Sequence, residues 1–68
     1  MDVNKLIMKA LQDRYESQIS EAEATIKIYL ESSVGIGEHP QHLDEVDKLI
    51  NKISAAAENL KTLEVLNV

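Results

Sequence analysis

The chain has no cysteine, no phenylalanine and no tryptophan, and its 68 residues include only two glycines and one proline. Each absence excludes something. Without cysteine there is no disulfide to staple a small domain, no thiolate to hold zinc and no thiol nucleophile. That composition agrees with a reducing compartment, and the cytoplasm is the expected location. Apolar runs are short: Leu6-Ile7-Met8 and Ala55-Ala56-Ala57 are typical, against the roughly 20 consecutive apolar residues that a membrane span needs. Segment 1–15 has no basic start followed by an apolar stretch, so no secretory leader is expected. Basic residues are the minority charge. Seven Lys and Arg against twelve Asp and Glu leave a net charge of −5, which repels nucleic-acid phosphates and anionic lipid at long range.

What is present favours helix. Leu, Ala, Glu, Lys and Gln fill both sides of the glycines, and the strand-forming aromatics are reduced to Tyr15 and Tyr29. In the first half Met8, Leu11, Tyr15, Ala22, Ile26 and Tyr29 recur at steps of three, four or seven, the repeat of one helical face. Ile19 widens that stripe, and Gln18 and Thr25 interrupt it. In the second half Leu43, Val46, Ile50, Ile53, Ala57 and Leu60 alternate steps of three and four, which reads as a heptad seam. A parallel row, Leu49, Ala56 and Leu63, makes the apolar stripe wide enough for a bundle.

The stretch "SSVGIGEHPQH", Ser32 to His42, holds both glycines and the proline. Gly35 is placed to cap the first helix in a left-handed conformation, with Ile36 folding back and Gly37 continuing the turn. Pro40 suits the first position of a second helix, where its missing N–H has no intrahelical partner to lose. Asp44, Glu45 and Asp47 follow, near the positive pole. The expected fold is therefore all-α: an antiparallel helical hairpin with helices at about 2–33 and 40–66 and a turn at 34–39, forming one domain across 1–68.

Two packed helices hide only the strip between them, so the hairpin is expected to dimerise into a four-helix bundle. The open end, far from the glycines, carries the most apolar surface. Val3, Leu6, Ile7, Met8 and Leu11 run nearly round the first helix, and Leu60, Leu63 and Leu66 lie beside them. These eight are the expected interface residues, toward a second copy or a different protein.

Candidate chemistry is sparse. His39 and His42, three apart near Glu38 and Glu45, fall short of a metal site for want of a third histidine and read as capping or solvated residues. Gly35-Ile36-Gly37 resembles a phosphate-binding turn but lacks the third glycine, the preceding strand and the Lys-Ser/Thr pair. No carboxylate pair sits in an apolar setting that would tune it for acid catalysis. No enzyme activity and no cofactor are expected. Lys5, Lys9 and Arg14 form the one basic cluster, and an RNA-binding bundle is the alternative they offer; a structural spacer is the other.

The segment Glu21 to Leu66, with its GIGEHP turn between helices, resembles small uncharacterised helical proteins of tailed phages of marine and cyanobacterial hosts. The resemblance covers about two thirds of the chain and brings no catalytic residue. It implies a protein made in the host cytoplasm that binds a host or viral protein complex. The function expected is accordingly a non-enzymatic protein–protein interaction module.

Overall fold

A computed structural model describes residues 2–31 and 40–66. Two helices account for nearly all of them, α1 (Val3–Glu31) and α2 (Pro40–Leu66). The glycine turn, with Gly35, Ile36, Gly37 and His39, lies outside the described residues, as do residues 32–33 and Val68.

Asp2 starts α1. Its carboxylate Oδ1 accepts the backbone N–H of Asn4 at 2.9 Å, and its carbonyl accepts the N–H of Leu6 at 3.2 Å. An aspartate directly before an apolar-periodic run is the sequence signal for such a cap. Pro40 is the first residue of α2, where the loss of a backbone donor is harmless. The first turn of α2 contains no acid, so Asp44, Glu45 and Asp47 lie beyond the stretch where the helix dipole is felt most.

The helices pack antiparallel along their whole length. Near the closed end the Tyr29 and His42 rings meet with centroids 5.3 Å apart, and at the open end Met8 shares a groove with Leu60 and Leu63. Those two contacts fix a single register. Between them it sets Thr25 opposite Val46, Ala22 opposite Leu49, Gln18 opposite Ile53, Tyr15 opposite Ala56 and Leu11 opposite Leu60. The half-buried and buried residues follow this pattern on both helices, the alternating three-four spacing of an antiparallel coiled-coil seam.

The seam of α2 is thus not the row that periodicity favours. Leu43 and Ile50 are 77% and 50% exposed and Ala57 is exposed, whereas Leu49, Ala56 and Leu63 share the seam with Val46, Ile53 and Leu60. His42, seven residues before Leu49, belongs to that row, and its ring meets Tyr29 across the seam. Gln18 and Thr25 interrupt hydrophobicity but not packing: both are half-buried on the seam, and the Thr25 hydroxyl donates to the Glu21 carbonyl at 2.9 Å, which satisfies it inside its own helix.

Candidate functional site

The molecule is a slab measuring 53 × 17 × 12 Å, two helices wide and one thick. Among the described residues only Ala22 and Ala56 are fully buried, each 1% exposed. Nearly all the other described side chains reach the surface, which divides into an open end, two flanks and two outer faces.

At the open end the eight expected interface residues separate into two groups. Met8, Leu11, Leu60 and Leu63 are half-buried in the hairpin's own seam. Val3, Leu6, Ile7 and Leu66 are at least half exposed, joined by Val65. Leu6 and Val65 sit on the outer faces, opposite the seam, while Ile7 and Leu66 sit on one flank.

The two flanks differ in chemistry. In an antiparallel pair the residues that immediately follow the second seam position of each heptad fall on the same flank from both helices. Here they are Lys5, Gln12, Ile19 and Ile26 from α1, with Leu43, Ile50, Ala57 and Glu64 from α2. The open groove beside Met8 confirms the assignment, since Gln12 and Glu64 line it together. From the closed end to past the middle this flank is apolar. The opposite flank carries Arg14, Glu21, Lys52 and Asn59 through its middle, Ile28 beside Glu45 at the closed end and Ile7 beside Leu66 at the open end.

The basic cluster does not assemble. Lys5 and Lys9 lie toward the apolar flank and Arg14 on the other. Lys9 donates to the Asp13 carboxylate, a hydrogen bond that, with the charge of Asp13, holds its ammonium above the ordinary lysine range. The other ion pairs among the described residues, Lys27 with Glu31 at 4.0 Å and Lys48 with Glu45 at 3.3 Å, are also exposed and within one helix. Pairs of this kind add little stability and leave the carboxylates in solvent. His42 packs on Tyr29, and among the described residues no group of three or more His, Cys, Asp or Glu is placed to hold a metal ion. No described helix is long and apolar enough to cross a membrane.

Comparison with protein-family models, with curated proteins and with solved structures finds no match in any of the three. Of the GIGEHP motif only Pro40 falls within the described residues. The functional reading therefore rests on the surface itself.

Proposed function

We propose that this chain is a non-enzymatic protein–protein interaction module whose first partner is itself. One observation carries the reading: the hairpin exposes too much surface. A folded monomer of 7.6 kDa is expected to expose about 4,300 Å², and this one exposes 5433 Å². The excess, on the order of 1,100 Å², is somewhat more than the roughly 800 Å² that each partner buries in a standard protein interface. Folding as a single copy removes only about half of the extended chain's surface, against roughly 60% for a domain of this size. Association supplies the missing burial. A four-helix bundle made of two hairpins is the simplest closed arrangement that does so.

The open end gives the module a second surface. Val3, Leu6 and Val65 project where a bundle built through a flank leaves them uncovered, and they support docking of a different protein, whether of a host or of a virus.

Size-exclusion chromatography with light scattering tests the reading. The expected mass is twice that of the chain at micromolar concentration, with a thermal midpoint that rises with protein concentration. A clean monomer with a concentration-independent midpoint removes the self-association. For the open end, Leu6→Asp is expected to abolish capture of the partner while leaving the dimer mass unchanged, and equal capture by both forms refutes that placement.

A further inference from the structure

Resting on that self-association, we propose that a second copy of this chain covers the flank bearing Ile19, Ile26, Leu43, Ile50 and Ala57, lying alongside the first with both closed ends together. Each α1 then packs on the α2 of the other copy.

Area, composition and charge all point this way. The uncovered excess of the lone hairpin is enough for one side of a standard interface. On this flank both helices add a third apolar row to the two rows of the seam, and it runs for about 21 Å from Leu43 to Ala57 at 1.5 Å per residue. Three apolar positions in seven on the same side of both helices is the pattern of a bundle core rather than of a two-stranded coil. The opposite flank has Arg14, Glu21 and Lys52 through its middle and Glu45 beside Ile28, and a second copy laid on it with closed ends together would set Glu45 on the partner's Ile28 and Arg14 on the partner's Asn59, desolvating both charges without a counter-charge.

Orientation follows from the polar end of the flank. The register places Lys5 and Glu64 at one level near the open end, Gln12 beside Ala57, Ile19 beside Ile50, and Ile26 beside Leu43. With closed ends together, Ile26 meets the partner's Leu43, Ile19 the partner's Ile50, and Lys5 the partner's Glu64, so apolar rows face apolar rows and opposite charges face each other. A head-to-tail pairing of the same flanks lays Lys5 on the partner's Ile26 and Glu64 on the partner's Leu43. That desolvates two ions without a counter-charge.

Because the chain has no cysteine of its own, single-cysteine variants report the geometry without background. Ile19→Cys and Ile50→Cys chains are mixed, equilibrated and mildly oxidised. A disulfide needs the two Cβ atoms about 4 Å apart. The mixed-chain product is expected to exceed the Ile50→Cys self-product at least tenfold. If Ile50→Cys links instead to an Ala57→Cys chain, the copies run head to tail; if neither mixed product forms while the unsubstituted chain is a dimer, another face is used. Either result overturns the inference and leaves self-association intact.

Leu43→Asp and Leu6→Asp provide the second readout. Leu43 is 77% exposed in the hairpin, so the aspartate is expected to halve the mass and keep the helical circular dichroism, with Leu6→Asp remaining a dimer. The reverse outcome places the interface at the open end and refutes the flank. An unsubstituted chain that is monomeric by light scattering removes both the inference and the reading on which it rests.

Discussion

The two flanks of the hairpin come from the same two helices and the same register, yet one is lined by Ile19, Ile26, Leu43 and Ile50 and the other by Arg14, Glu21, Glu45 and Lys52. Both border the same seam. A hairpin that only had to hold itself together would need neither flank to be apolar, because long polar side chains such as Lys, Glu and Arg cover a seam with their stems and keep their charges in water. The asymmetry therefore says that the molecule is sided. On the proposed association the charged flank, with only Ile7, Ile28 and Leu66 apolar at its ends, stays in water, and the apolar flank is what each copy brings to the contact.

The sharpest way to break this comparison uses neighbouring alanines. Ala56 is 1% exposed on the seam, and Ala57, one residue on, faces the apolar flank. Ala56→Asp places an uncompensated charge between the helices and is expected to cost about 3–5 kcal/mol, enough to unfold a domain this small. Loss of helical circular dichroism reads it directly. Ala57→Asp is expected to leave a folded hairpin in dilute solution and to weaken only the association. Equal unfolding by both would mean that the flank and the seam are one core, already closed within a single copy.

A smaller effect separates the flanks themselves. Replacing both Leu43 and Ile50 by Gln is expected to raise the dimer dissociation constant at least tenfold, a loss of about 1.4 kcal/mol. On the charged flank, Arg14→Gln with Lys52→Gln is expected to stay within about 0.5 kcal/mol of the unsubstituted chain. Sedimentation equilibrium on the three proteins measures both. A charged flank that proves as sensitive as the apolar one would abolish the sidedness.

How far the primary structure shows this can be traced to particular residues. The all-helical hairpin was legible, because propensity, three-four periodicity and the placing of Gly35 and Pro40 all agree. The phase of α2 was not. Leu43-Ile50-Ala57 and Leu49-Ala56-Leu63 are equally good heptad rows, and both share Val46, Ile53 and Leu60. Nothing within α2 chooses between them. The choice shows only across the seam, where Tyr29 of α1 packs on His42, seven residues before Leu49 in the chosen row. In the same way Gln18 and Thr25 read as breaks in a stripe, although backbone geometry holds them on the seam whatever their polarity. The open-end group was legible as apolar, but its division into seam residues and projecting ones depends on the register, which one helix alone does not define.

Gln18 gives a third, milder test. It lies half-buried opposite Ile53, where a polar side chain fixes register at some expense of stability. Gln18→Leu is expected to stabilise the hairpin by roughly 1 kcal/mol, raising the thermal midpoint by about 4–8 °C. Since it leaves both flanks untouched, the dimer dissociation constant should hold. A large change in association would show that the seam, rather than the flank, presents itself to the second copy.

The smallest effect concerns the outer face and fixes the scale for the others. The Lys9 ammonium is raised above its ordinary range first by its hydrogen bond to Asp13 and then by that residue's charge. A cation whose pKa is raised on folding contributes fully at pH values below the unfolded lysine range, and the contribution fades as pH climbs through the raised folded value. Any stabilisation by this pair is therefore present at neutral pH and disappears only in strong alkali. The pair is fully exposed, so salt screens it. Asp13→Asn is expected to lower the thermal midpoint slightly at pH 7 and low salt, with no difference from the unsubstituted chain at molar salt. The flank contact, being apolar, should survive that salt, so the two surfaces part company in one titration. A midpoint difference that persists in molar salt would mean that Asp13 acts through packing, and that the outer face is less finished than its charges imply.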